Sequence, residues 1–161
     1  MSFTFRPLDE TSAQTILHWR YESPYDIYDL ASPAPDSTLQ YLLDPQNTFY
    51  SIYGQDGDLE AFCSFGPDGQ VYGGDYITPA LDIGLSVRPD LTGQGKGLQY
   101  VSAVIDFAIR TYSPDRLRVT IAAFNGRAMR VWEKAGFQVV QNFRGGWTNS
   151  DFVIMMKNAR D

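Results

Sequence analysis

Three groups of residues in this 161-residue chain have the types and spacing to do chemistry. The first is Thr92-Gly93-Gln94-Gly95-Lys96-Gly97-Leu98, which follows an apolar stretch ending at Val87 and opens a helical pattern. Glycines carry no Cβ, so the backbone bends tightly and comes close to a ligand, while unpaired N–H groups of a first helical turn face an anion. The pattern predicts a diphosphate held by main-chain amides from Gly93 to Leu98. A Walker loop needs Gly-Lys-Ser/Thr, and here Lys96 is followed by Gly97 and Leu98, which argues against a nucleoside triphosphatase. A dinucleotide fingerprint needs a third glycine where Leu98 stands, which argues against a Rossmann enzyme. The second group is Asp82, an acidic residue at the start of an apolar strand; with an ordinary pKa of about 3.9 it is a weak base unless burial raises it. Salt-bridging at the strand's start is its plainer reading. The third is the aromatic run Trp19, Tyr21, Tyr25 and Tyr28 around Pro24, which lines a pocket or pads the core.

The elements that must position these groups follow from periodicity. Phe3–Leu8 alternates as a half-buried opening strand, and Thr11 or Ser12 caps a helix carrying Ile16, Leu17 and Trp19. Ser37–Leu43 reads as a second helix. Asn47–Gly54 and Leu59–Gly66 read as strands joined by an Asp-Gly hairpin, and 67–79 as a glycine-rich surface excursion. The central strand spans Ala80–Val87. The helix after it places Leu98, Val101, Ile105, Ala108 and Ile109 on one face, and Arg116–Ala123 is a strand parallel to the central one. Asn125 caps a last helix with Ala128, Val131, Trp132 and Ala135 as its apolar stripe, and Gly136 supplies the left-handed residue at its end. Strands at Phe137–Phe143 and about 151–157 complete a single domain over residues 1–161. The class is α/β (α+β): a mixed central sheet of about six to seven strands flanked by helices on both faces.

Composition narrows the function. Lys and Arg number 13 against 19 Asp and Glu, a net charge of −6, with 43% hydrophobic and 20% charged residues. No basic run exists to neutralise phosphates, so no nucleic acid partner is expected, and an acidic surface suits cationic amines. The single Cys63 forbids an intrachain disulfide, and the single His18 leaves no metal-ligand spacing. Both read as structural. No metal is expected, no segment is apolar enough for a signal core or membrane span, and the cytoplasm is the simplest location.

The glycine segment resembles the coenzyme A loop of the GNAT superfamily of N-acetyltransferases, Gln/Arg-x-x-Gly-x-Gly/Ala, with Thr92 where Gln or Arg is usual. Asn125 through Phe137 is similar to that superfamily's downstream segment, Asn-x-x-Ala-x-x-x-Tyr-x-x-x-Gly-Phe, with Trp132 at the tyrosine. The resemblance covers most of the chain from Phe3 to Lys157. It implies acetyl-CoA as cosubstrate, direct acetyl transfer to a primary amine of a small molecule or a protein N-terminus, and homodimers as a common assembly. It further implies cofactor contacts at Leu85, Val87, Thr92, Gly93, Gln94, Gly95, Lys96, Gly97, Leu98, Asn125 and Trp132. Asp82 is implied as proton acceptor, with Asp26 as the second choice. The oxyanion donor falls among the main-chain amides of Leu85-Ser86-Val87, Ser86 being the catalytic member. Trp19, Tyr21, Tyr25 and Tyr28 would line the acceptor site. An indole does not ionise usefully, so Trp132 cannot protonate the leaving thiolate. A coenzyme A-binding module without catalysis, or an acyltransferase for longer acyl groups or oxygen nucleophiles, are the competing readings.

Overall fold

The computed structural model describes residues 2–160. In chain order its elements are β1 (Thr4–Pro7), α1 (Glu10–Leu17), α2 (Pro35–Leu43), β2 (Phe49–Tyr53), β3 (Leu59–Phe65), β4 (Leu81–Val87), α3 (Gly97–Tyr112), β5 (Arg116–Ala122), α4 (Gly126–Lys134), β6 (Gln138–Gly145) and β7 (Ser150–Asn158). Strands that pair both ways, interleaved with helices, give the mixed α/β class that the pattern predicts. The chain packs as two compact units, one comprising residues up to Ser64 with Leu85–Gln94, the other Phe65–Gly84 with the residues from Gly95 onward. β4 therefore contributes its first half to one unit and its second half to the other.

In the first unit β1, β2 and β3 form an antiparallel meander, with Phe5 opposite Ile52 and Ser51 opposite Phe62. The hairpin between β2 and β3 closes at the Asp-Gly signal, where the Gly54 N–H donates to the Asp58 carbonyl and Gly57 has φ 85°. Leu8, Ala13, Ile16, Trp19, Leu42, Phe49 and Phe62 make its core. Helix α1 starts earlier than Thr11 or Ser12. Asp9 is the cap, its Oδ1 accepting from the Ser12 N–H at 2.8 Å, so Ser12 lies inside the helix and is buried there. α2 likewise starts two residues earlier than the pattern suggests, because Pro35 suits the first helical position.

In the second unit the strand order is β4-β5-β7-β6. β4 and β5 are parallel, with Leu81 opposite Leu117 and Asp82 opposite Arg118. β5–β7 and β7–β6 are antiparallel. Leu117, Val119 and Ile121 are buried as alternation predicts. On α3 the buried residues are Tyr100, Val101, Val104, Ile105 and Ala108, whereas Leu98 is 42% exposed. Each fully buried valine or isoleucine of that stripe contributes about 1.5–3 kcal/mol, which holds the helix in place. On α4 the buried residue is Trp132, set edge-on to Phe137 with ring centroids 4.9 Å apart. Gly136 ends that helix region with φ 104°. No helix among the described residues is long and apolar enough to cross a membrane.

Candidate active site

The second half of β4 and the turn after it are braced from several sides within the first unit. The Arg88 N–H donates to the Glu60 carbonyl at 2.8 Å, which joins this end of β4 to β3. The Arg88 guanidinium reaches the Leu59 carbonyl and grips the Asp90 carboxylate through two nitrogens. That hydrogen-bonded pair holds the Asp90 carboxyl below the usual range. Thr92 donates its hydroxyl to the Pro89 carbonyl, and the Gln94 amide donates to the Asp90 carbonyl. Two of the residues expected to touch a cofactor, Thr92 and Gln94, thus spend their side chains on the turn.

The turn's main chain is left-handed at two glycines. Gly93 and Gly95 sit at φ 71° and 78°, in the left-handed region that glycine adopts without cost. A Cβ on Gly95 would meet nothing within 4 Å, and Gly93, Gln94 and Gly95 are exposed. Gly97 allows close packing, since a Cβ there would come within 3.1 Å of Val131 Cγ2, a side-chain methyl on α4 that would have to give by a few tenths of an ångström. At the start of α3, Lys96 stands as N-cap and makes no side-chain capping bond, in contrast to Asp9 on α1 and Asn125 on α4. The Asn125 Oδ1 accepts from the Ala128 N–H at 3.1 Å.

Alternation along β4 sorts its last residues by edge. In a strand the N–H and C=O of one residue point to the same side and those of the next to the other. Because Arg88 faces β3, Ser86 shares that edge, and Leu85 and Val87 present their main-chain groups on the opposite edge. All three are half-buried.

Asp82 is committed to a buried ion pair in the second unit. Its two carboxylate oxygens accept from Arg118 Nε at 2.7 Å and Nη2 at 2.9 Å, and Oδ2 also accepts from the Gln70 amide at 2.9 Å. Arg118 further donates to the Thr78 carbonyl and lies 4.9 Å from the centroid of the Tyr76 ring. The Tyr76 hydroxyl is bonded to the Val71 N–H and to Thr120 Oγ1. Both charged side chains are only 3–4% exposed. The pairing raises the Arg118 pKa, chiefly through its hydrogen bonds to Asp82. These bonds place three fixed donors on the carboxylate, the arrangement of an anchor more than that of a free proton acceptor. They also tie the 67–79 excursion down at Gln70, Tyr76 and Thr78. Arg118, Gln70 and Tyr76 escape a reading of the sequence, because opposition of Asp82 and Arg118 requires the strand register.

Of the aromatic run, Trp19 is buried against Phe62, with ring centroids 5.8 Å apart, and belongs to the core. Tyr21 is attached to β4: its hydroxyl donates to the Val87 carbonyl at 2.6 Å, and its own N–H donates to Asp29 Oδ1. Tyr25 and Tyr28 are half-buried on a 3-10 turn whose surroundings carry Glu22, Asp26 and Asp29. Cys63 is a buried thiol in β3, pushed up in pKa by burial, and the His18 ring nitrogen Nδ1 pairs with the Gln14 carbonyl.

Solved structures of other proteins share this fold. The fold matches a solved spermidine N-acetyltransferase SpeG chimera from Vibrio cholerae and hSSAT at TM-score 0.76, with 14% identity, over 98% of this chain and 96% of that one. It matches AAC(6')-Ib, solved in complex with parmomycin and acetyl-CoA, at TM-score 0.77, with 19% identity, over 99% and 95%. A GNAT-family acetyltransferase from Bacillus anthracis matches at TM-score 0.74, with 13% identity, over 99% and 96%. No curated protein matches by sequence. The profile of the acetyltransferase (GNAT) domain matches residues 3–138, so the chain belongs to the GNAT acetyltransferase family.

Proposed function

We propose that this protein transfers the acetyl group of acetyl-CoA directly to a primary amine of a cationic small molecule. The observation that carries the reading is the turn with Gly93 and Gly95 in the left-handed region, running into an α3 whose first turn is left without a side-chain cap, in a chain of this family. Main-chain amides of that segment would hold the diphosphate of the substrate, and Leu85 would pair with its pantetheine arm. Bound there, acetyl-CoA supplies an activated thioester.

In the transfer, the amine lone pair forms the new C–N bond as the C–S bond breaks, and the proton lost by nitrogen ends on sulfur or in solvent. Charge gathering on the thioester oxygen needs a fixed donor. The Val87 N–H suits that role better than Ser86, whose main chain lies on the β3 edge. With Asp82 held by Arg118, the amine is best delivered already neutral, or deprotonated through water. The acceptor class rests on the acidic 20–29 loop and on neighbours of the same fold that act on spermidine or were solved with an aminoglycoside. A protein N-terminus is the other acceptor that fits. A coenzyme A-binding module with little catalysis is the second reading, favoured by Trp132, which is buried against Phe137 at the place of the family's tyrosine.

Calorimetry with acetyl-CoA, followed by thiol release across a panel of polyamines, aminoglycosides and peptide N-termini, tests the proposal. Binding together with amine-dependent thiol release supports it. Binding without release from any amine favours the module, and absence of binding removes both.

A further inference from the structure

We propose that Tyr21 is a positioning residue for acetyl transfer, its hydroxyl locking the last peptide unit of β4 so that the Val87 N–H is held at a fixed angle to the thioester. The inference rests on the acetyltransferase reading and deepens it.

The Val87 carbonyl and the Arg88 N–H are the two poles of one planar peptide unit. The N–H pole donates to the Glu60 carbonyl at 2.8 Å, and the C=O pole accepts from the Tyr21 hydroxyl at 2.6 Å. A unit pinned at both poles cannot rotate about its flanking bonds, and the extended backbone of Val87 at the end of β4 carries that orientation to the preceding peptide unit, which holds the Val87 N–H. The Val87 N–H lies on the same edge as the carbonyl that Tyr21 holds, the edge away from β3. The main chain that carries Tyr21 is itself held twice. Two residues earlier Trp19 is embedded in the core, and the Tyr21 N–H is bonded to Asp29 Oδ1 at 2.9 Å. Tyr21 thereby bonds the main chain of the strand end Leu85–Val87 from the 20–29 loop and couples that loop to the strand.

Its chemistry is that of a donor and not of a proton source. Burial first, and the neighbouring Asp29 second, hold the phenol protonated well above its ordinary value. A phenol so held does not protonate a thiolate, but it donates a hydrogen bond throughout the working pH range.

The test is Tyr21→Phe, which keeps the ring and removes the hydroxyl, measured beside wild type for melting temperature, acetyl-CoA affinity by calorimetry, kcat, and KM for an amine that wild type acetylates. Releasing one pole of the peptide unit is expected to lower kcat about tenfold, the scale of one lost hydrogen bond to a positioned group. Acetyl-CoA affinity, set by the glycine turn, is expected to stay within about twofold. No new limb in the pH–rate profile is expected. An unchanged kcat overturns the inference, as does a fall in kcat that only follows equal losses of melting temperature and cofactor affinity. If wild type binds acetyl-CoA and acetylates no amine, the acetyltransferase reading itself fails and this inference falls with it, a result that wild type alone reveals.

Discussion

Replacing Asp82 by Asn separates an anchor from a base. Asp82 and Arg118 are 3–4% exposed, joined by two bonds of 2.7 and 2.9 Å, and further satisfied by Gln70 and Thr78. Removing one charge of such a pair leaves the other buried and uncompensated, at a cost of about 3–5 kcal/mol. Asn keeps one acceptor for Arg118, so the lower end applies, about 3 kcal/mol. For a chain of this size that corresponds to a fall in melting temperature of roughly 6–12 °C. Arg118→Met alone is expected to cost at least as much, because it strands a carboxylate with Gln70 as its remaining side-chain donor. The double variant Asp82→Leu with Arg118→Met removes both charges and is expected to recover a large part of the loss, giving a coupling of about 2 kcal/mol or more in the cycle completed by Asp82→Leu and Arg118→Met alone. Circular dichroism melts of wild type and these variants, with acetyl-CoA calorimetry and turnover on each, read the outcome. Turnover of Asp82→Asn, normalised to folded protein, is expected to stay within about threefold of wild type, with the same rise in rate as the amine deprotonates. A variant that melts within about 2 °C of wild type, binds acetyl-CoA normally and yet loses turnover a hundredfold or more would refute the anchor and make Asp82 the proton acceptor.

Three other outcomes are expected. Gly95→Val forces a β-branched residue to φ near 78°, a strain of about 1–3 kcal/mol, although there is room for its Cβ; acetyl-CoA affinity should fall tenfold or more in calorimetry, and undiminished binding would disprove the turn as the diphosphate grip. Trp132→Tyr places a smaller ring and a hydroxyl against Phe137 in the core, so melting temperature should drop while turnover does not rise; a gain in turnover would show that the position reaches the thiol after all. Alkaline pH should destabilise the fold, because burial lifts the folded-state pKa of Cys63 and Tyr21 above their ordinary 9.0 and 10.0. The native state then binds more protons than the unfolded one, and stability that is complete below pH 9 declines as pH rises past these ordinary values, by up to about 1.4 kcal/mol per pH unit per group. Urea midpoints at pH 8 and pH 10.5 check this, and equal midpoints would contradict it.

What the sequence carries legibly is local. Alternation marks β5, the Asp-Gly pair marks the hairpin, Asn125 and Gly136 mark the limits of α4, and the glycine spacing marks the turn before α3. Each depends on residues a few positions apart, where backbone sterics act. The boundaries drift where two residues compete for one role, as when Asp9 takes the cap from Thr11 and Ser12 because its carboxylate reaches the Ser12 N–H. The helical stripe is misread at Leu98 because first-turn residues need not face the sheet, and Tyr100 takes its place in the core. What pattern cannot reach is register. Asp82 looks like a lone acid until β4 and β5 are aligned and Arg118 stands opposite it. Tyr21 looks like one aromatic among four until its hydroxyl is found on the Val87 carbonyl, 66 positions away.

The two side chains that the family pattern offers most directly for acid–base work, Asp82 and the aromatic at 132, are thus both occupied by packing. Asp82 satisfies Arg118, and Trp132 fills the core beside Phe137. If neither moves protons, rate enhancement has to come from holding the amine and thioester together and from main-chain donors on the charge that develops. Orientation alone supplies up to about 7–11 kcal/mol when the geometry is near attack, and a single fixed donor adds about 3–4 kcal/mol. That is enough for acetyl transfer from a thioester to an amine already neutral. On the proposed mechanism, activity depends on backbone placement more than on any ionisable side chain, and the groups that fix the backbone become the ones whose loss matters. In β4 these are the Glu60 carbonyl on one edge and the Tyr21 hydroxyl on the other.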